Sequence, residues 1–388
     1  MAKIAVVNVP FYSHIEAMLR LSAVLKRQGH SLIAWGPEAW RETIEGSGAA
    51  FVLHEPEMPR VVGTAGFVAA LLAMTETRAE ELIEQLFPLD VDLVLHDSQV
   101  PWARVAGDYL GIPRVVSHPM FPISTGGRIL SEADRKAPTS DPEQAQEQFK
   151  ASWHSIARRW GVELGDGNAV IHSARESEIV VAYTTRRIVG GYPLGDAWHC
   201  VGPLMTPAPQ AVYSADRPLV YACFGTSFNA RKEPFTAVIE GLADEPVDVL
   251  ISTGNGTISA ADFEPLPDNV AVRGFVPARE MLARASVHIT HGGNNSVHEC
   301  LMAGVPMLCM PQAYDQFPLS RAVELLGAGM PVDESPDAVA RGVRRMLEDE
   351  APRACARDIA EHLASYDGEG HVAALVEQAL TDGAALVA

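Results

Sequence analysis

Residues 290–299 read THGGNNSVHE, gathering two imidazoles, two amides, hydroxyls and a carboxylate around a pair of glycines. The apolar run SVHI precedes them and the helix-like CLMAGVP follows, so the cluster falls at a strand-to-helix junction. The opening turn of a helix presents unpaired N–H groups and about half a positive charge. Gly292 and Gly293 carry no side chains to block the approach of ligand oxygens. His291 can donate a hydrogen bond and carry charge, and Asn295 and Ser296 add polar donors. Glu299, about one turn into the helix, could accept two hydrogen bonds from a sugar diol. Together these residues suit a nucleoside diphosphate with its ribose attached. Two blander readings compete. S-x-x-E is also a capping box, in which Ser296 and Glu299 would only satisfy backbone donors. His288, His291, His298 and Glu299 could suggest a metal, but His288 lies inside a strand and the i, i+4 pair of HExxH is absent, so no metal site is expected.

The elements that would position this cluster alternate along the chain. KIAVVNV (3–9) is a continuous apolar run, as in a parallel strand buried on both faces. A helix over 18–30 closes at Gly29, and SLIAWG (31–36) is a second strand. A helix near 66–87, strand DLVLHD (92–97), helix 100–111 and strand PRVVSH (113–118) continue the series. Residues 132–170 begin polar and turn helical around Trp153 and Trp160, and IVVAYTT (179–185) is a further strand. The turn-rich stretch 201–218 reads as a linker. Beyond it the alternation restarts with LVYACFG (219–225), helix 234–243, VDVLIST (247–253) and NVAVRGF (269–275). Helix 278–284, SVHIT (286–290), helix 296–304 and PMLCMP (306–311) follow, with C-terminal helices near 351–365 and 371–381. Strands alternating with helices predict α/β folding with doubly wound sheets. The expectation is two Rossmann-like domains, 1–200 and 219–370, facing across a cleft at the carboxyl ends of their strands. A last helix, 371–388, could pack back on the first domain.

Composition bounds what such a chain meets. At 388 residues it exceeds one ordinary domain. Lys and Arg number 30 against 49 Asp and Glu, a net charge of −19. So acidic a surface repels nucleic acid and anionic lipid, leaving small molecules as the expected partners. The five cysteines form no CxxC pair, which fits a reducing cytoplasm. The apolar start is too short for a signal peptide's usual layout, and no window reaches the ~18 consecutive apolar residues of a spanning helix. The oligomeric state is not legible, and a homodimer stays open.

The stretch 274–316, GFVPAREMLARASVHITHGGNNSVHECLMAGVPMLCMPQAYDQ, resembles the donor-binding signature of family 1 nucleotide-sugar glycosyltransferases, nearest to their bacterial macrolide-type branch. H-G-G, N-S-x-x-E, G-V-P and P-Q-x-x-D-Q occur in order. A looser likeness runs from the first strand through DSQVPWARVAGDYLGIP (97–113) to residue 327. The resemblance implies the GT-B fold and a UDP- or dTDP-sugar as co-substrate, with no other cofactor. By it, His291, Gly293, Asn295 and Ser296 would hold the diphosphate, Glu299 the ribose, and Asp315 and Gln316 the sugar hydroxyls. FGTS (224–227) resembles the family's G-T/S loop, with Thr226 and Ser227 near the phosphates, and Val276 falls near the nucleobase. Where the family often has Gln after V-P, this chain has Ala278, which leaves uridine and thymidine both open.

Glycosyl transfer to a hydroxyl needs a general base, and histidine suits neutral pH. His14 follows the first strand, and Asp97 ends the strand 92–97, where it could orient His14 through the second ring nitrogen. The family carries a His and an Asp at these places, although its G-H-x-x-P becomes SHIEA here, with Ser13 and Ala17 departing. His96 should point to the opposite face from Asp97. Phe11, Tyr12, His118, Met120, Phe121 and Trp153 are candidate walls of an apolar acceptor pocket. DVD (90–92) precedes its strand, at the edge away from the proposed cleft, and is discounted as a metal motif. The expected chemistry is inverting transfer of a hexose to a small natural-product hydroxyl. A nucleotide-sugar epimerase, or a non-catalytic nucleotide-sugar-binding partner of another transferase, is the alternative.

Overall fold

The computed structural model describes residues 1–59, 64–122, 142–162, 178–205, 217–225, 231–254, 256, 258–312 and 315–387. The chain divides into two compact units. The first comprises Met1–Tyr183, Tyr192–Leu204 and Asp367–Ala388; the second comprises Thr184–Gly191 and Met205–Tyr366.

The first unit is built on a seven-stranded sheet of order β3-β2-β1-β4-β5-β6-β7, parallel throughout. Its strands are β1 (Lys3–Val7), β2 (Ser31–Gly36), β3 (Ala50–Leu53), β4 (Leu93–Asp97), β5 (Arg114–His118), β6 (Ile179–Ala182) and β7 (Trp198–Cys200). Alternation sends Ile4, Val6, Leu93 and Leu95 to one face, where they pack on Met18, Leu21, Val24 and Leu25 of the helix Tyr12–Arg27. Val372, Leu375 and Val376 of the helix Gly368–Val387 complete the same core. Ala5, Val7 and Val94 face the other way, against the helices Thr64–Leu86 and Pro101–Leu110. Each such buried Val, Leu, Ile or Met side chain contributes roughly 1.5–3 kcal/mol. Strand order reverses between β1 and β4, which leaves a crevice beyond their carboxyl ends.

The second unit repeats the plan with six parallel strands of order β10-β9-β8-β11-β12-β13. They are β8 (Leu219–Cys223), β9 (Asp248–Ser252), β10 (Val270–Arg273), β11 (Val287–Thr290), β12 (Met307–Cys309) and β13 (Gly329–Pro331). Val220, Val249, Ile251, Val287 and Ile289 form its core with Phe235, Val238, Val339 and Val343. Here the reversal lies between β8 and β11. Both units are doubly wound α/β, as the alternation predicts. Among the described residues no helix is long and apolar enough to cross a membrane.

Candidate active site

In the first unit the crevice at β1 and β4 holds an imidazole and a carboxylate. The helix after β1 begins at Tyr12 rather than near 18, so His14 sits in its first turn instead of in a loop. Phe11 is the N-cap residue and makes no side-chain cap. Asp97 ends β4 on the face of Leu93 and Leu95, the face that this helix covers. His14 Nδ1 lies 2.8 Å from Asp97 Oδ2, and both residues are buried. A carboxylate only accepts, so Nδ1 carries the proton and Nε2 is left as the basic lone pair. The second Asp97 oxygen accepts the Gln99 backbone N–H at 2.7 Å, which fixes the carboxylate in turn.

The neighbours sort by face. Phe11 packs edge-on to the His14 ring with centroids 5.6 Å apart. Tyr12 is exposed beside Trp40. Gln99 donates its side-chain N–H to the Met120 sulfur at 3.3 Å. His118 shares its face of β5 with Val116, the face opposite Asp97's, and is buried edge-on to Trp198. Phe121 packs on Tyr192, and Trp153 stacks on Phe149 at the margin of the core. Thus Phe11 joins His14 and Asp97 directly, whereas His118, Phe121 and Trp153 make their ring contacts elsewhere in the unit. His96 faces away from Asp97 as expected; burial, with the nearby Arg114 charge, pushes its pKa down to about 3. Asp92 of the DVD stretch accepts the Lys3 N–H at 2.7 Å, a structural bond at the amino end of the strands.

The second unit places His291 at the matching reversal point. It follows β11 directly and leads through Gly292, at φ 81°, to the helix Asn294–Met302. That helix opens two residues earlier than its sequence pattern indicates, with Gly293 at the N-cap and no side chain capping it. The capping box is therefore not formed: Ser296 and Glu299 both lie inside the helix. The two glycines also have a use the sequence did not disclose. A Cβ on Gly293 would come within 2.4 Å of His291 Nε2, and one on Gly225 within 2.7 Å of its Cε1. A Cβ on Gly292 would meet the Ser320 hydroxyl at 2.6 Å. The missing side chains make room for the imidazole, held between the end of β8 and the start of the helix.

Burial, with the neighbouring His288, pushes the His291 pKa down to about 4, so its ring is neutral at pH 7. It thus lacks the standing charge expected of it. Ser296 Oγ lies 3.1 Å from His288 Nε2 and 2.9 Å from Thr290 Oγ1. Asn295, Ser296 and Glu299 are half-buried on the first turns of the helix. Burial, followed by lesser effects that include the Glu299 charge, holds the Cys223 thiol up, so Glu299 lies toward the end of β8. His298 bonds the Asn294 carbonyl and the Thr184 hydroxyl, and thus serves the unit's interior. Asp315 is the N-cap residue of the helix Gln316–Leu325, and Gln316 is buried, its side-chain oxygen accepting the Gln312 N–H at 2.7 Å. Val276 is half-buried after β10, beside Phe275, an aromatic 57% exposed that the sequence did not single out. Thr226 and Ser227 lie outside the described residues.

Residues 238–378 match the erythromycin biosynthesis protein CIII-like C-terminal domain. Demethyllactenocin mycarosyltransferase of Streptomyces fradiae is 26% identical over 381 residues, covering 91% of this chain and 81% of its own. The crystal structure of the kitacinnamycin glycosyltransferase superposes with a TM-score of 0.82 at 21% identity, covering 97% of this chain and 98% of that one. A spinosyn rhamnosyltransferase complexed with thymidine diphosphate gives a TM-score of 0.69 at 17% identity, over 97% and 100% of the two chains. By sequence the chain is similar to bacterial macrolide and natural-product glycosyltransferases, and its two doubly wound units have the GT-B fold of the solved ones.

Proposed function

We propose that the chain is a glycosyltransferase that moves a hexose, with inversion, from a UDP- or dTDP-sugar to a hydroxyl of a small, largely apolar natural product. The observation that carries the reading is the buried His14–Asp97 pair, 2.8 Å apart at the carboxyl edge of the first sheet. With Nδ1–H held by Asp97, His14 Nε2 takes the proton of the acceptor hydroxyl. The acceptor oxygen forms its bond to the anomeric carbon from the face opposite the diphosphate. The bond from that carbon to the phosphate oxygen breaks, and its electron pair departs with the diphosphate. His291 and the uncapped N–H groups from Gly293 onward stabilise that leaving charge without a metal ion. Glu299 takes the ribose hydroxyls, and Asp315, with Gln316, lies at the donor sugar. The exposed ring of Phe275 offers the nucleobase a stacking face beside Val276.

A thymidine nucleotide is favoured by the spinosyn enzyme, solved with thymidine diphosphate. The acceptor class follows the sequence relatives and the apolar residues of the first unit. We place the protein in the cytoplasm, in keeping with its five free thiols.

The test supplies UDP-glucose and dTDP-glucose separately and follows nucleoside diphosphate release with and without a panel of aglycones. Release should depend on an aglycone, and His14→Ala should lower kcat by about 10²- to 10⁴-fold, the usual worth of a general base. Release that ignores both the aglycone and the substitution would overturn the base assignment. A product with the donor sugar's anomeric configuration retained would overturn the single displacement.

A further inference from the structure

A chain of hydrogen bonds inside the second unit fixes which nitrogen of His291 carries its proton. It starts at His288, whose Nδ1 lies 3.0 Å from the Tyr221 carbonyl of the neighbouring strand. A carbonyl only accepts, so Nδ1 holds the proton. His288 is buried and stacked on the Tyr221 ring, and burial pushes its pKa down to about 4. It is neutral, so Nε2 accepts the Ser296 hydroxyl proton at 3.1 Å. Ser296 has spent its only proton and must accept that of Thr290, 2.9 Å away. Thr290 has then spent its own. Its remaining contact, 3.4 Å to His291 Nδ1, requires that nitrogen to be the donor, alongside the Gly292 N–H at 3.3 Å. His291 Nε2 is left with a lone pair, and it is this atom that lies between Gly225 and Gly293.

We infer that His288, Ser296 and Thr290 are positioning residues that hold His291 as its Nδ1–H tautomer, so that a nucleoside diphosphate binds there only with uptake of a proton at Nε2. This rests on the reading of His291 as a diphosphate ligand. A lone pair repels a phosphate oxygen, whereas an imidazolium donates to it with charge assistance. The alternative, moving the ring proton from Nδ1 to Nε2, would break the relay bond to Thr290. The titratable groups around the ring come from each element packed there: His288 on its own strand, Tyr221 and Cys223 on β8, Cys309 on β12, Glu299 on the following helix and Asp315 at the next. Of these, His288 is the one that bears on His291: its protonation would oppose a positive ring, and its neutral form leaves that ring free to charge. Bound diphosphate favours that charge.

The experiment is calorimetric titration of the full chain with dTDP and with UDP at about pH 7.5, above the second phosphate ionisation at about pH 6. It is repeated in buffers of different ionisation enthalpy. The expected result is an observed enthalpy that varies with buffer, corresponding to uptake approaching about one proton per diphosphate, with roughly tenfold tighter binding per unit fall in pH. His288→Leu should abolish the uptake while binding persists, because Ser296 and Thr290 can then turn their protons toward His291 Nδ1. Should that variant fail to fold, Thr290→Val removes, at nearly the same shape, the oxygen that accepts from His291 Nδ1. Tight binding with no buffer dependence in the native protein would overturn the proposal alone. Uptake unchanged in a folded relay variant would do the same. Binding of neither diphosphate would overturn the donor site with it.

Discussion

At His291 a single ring decides the identity of residues on either side of it. Gly293 and Gly225 leave the volume that its Nε2 and Cε1 edge fills, so a methyl group there must displace imidazole, backbone or both. Gly293→Ala is therefore expected to raise the dissociation constant for nucleoside diphosphate by about tenfold or more, from an overpacking cost of roughly 1–3 kcal/mol. Calorimetry on protein with unchanged circular dichroism checks this, and an unchanged constant would mean the ring has room to spare. The position of His291 was legible in the sequence, because a strand end, two glycines and a polar turn are local signals. The relay behind it was not. It needs the register that sets His288 opposite Tyr221, a partner 67 residues away. The same holds for His14 and Asp97: strand ends predict that both reach one edge, but the reversal between β1 and β4 brings them together.

Elements were readable where they are long and buried, and lost where they are short. The central strands β1, β4, β8 and β11 announce themselves as apolar runs, since parallel strands are covered on both faces. Of the four edge strands, β3, β7 and β13 have 4, 3 and 3 residues and escape notice because so few residues carry no period. The helix Tyr12–Arg27 was read as starting late, since YSHIEA lacks a good N-cap and its apolar spacing emerges only further on. The C-terminal helix shows how tightly an element end can be specified. A Cβ at Gly368 would lie 2.1 Å from the Val201 carbonyl oxygen and 2.9 Å from the Leu204 side chain. Gly368→Ala should therefore shift that helix off its seat and cost about 1–3 kcal/mol. Urea unfolding checks it; a midpoint equal to the native protein's would show that the contact yields freely.

Across the whole molecule, buried histidines set a common response to acid. Burial lowers the pKa of His54, His288 and His291 to about 4 and that of His96 to about 3. The unfolded chain, whose histidines titrate at about 6.5, binds more protons than the folded one between about pH 6.5 and pH 4. Stability therefore rises with pH through that window and is lost as the pH falls, by up to about 3 kcal/mol for each histidine. Urea midpoints measured from neutral pH downward should fall steadily below about pH 6.5. A flat profile to about pH 4.5 would contradict neutral burial of these rings. Bound diphosphate should offset part of the loss, because it recruits the proton at His291 that folding otherwise refuses.

The threading of the chain has a consequence for its synthesis. The helix Gly368–Val387 belongs to the first unit, although the ribosome makes it after the whole stretch Met205–Tyr366 of the second. Until it emerges, the face of the helix Tyr12–Arg27 carrying Leu21 and Val24 lacks the cover of Val372, Leu375 and Val376. The half of the enzyme that is translated first is thus the last to close its core. A nascent chain paused before Gly368 leaves that apolar face open to the chaperones of the cell, with the second unit already synthesised.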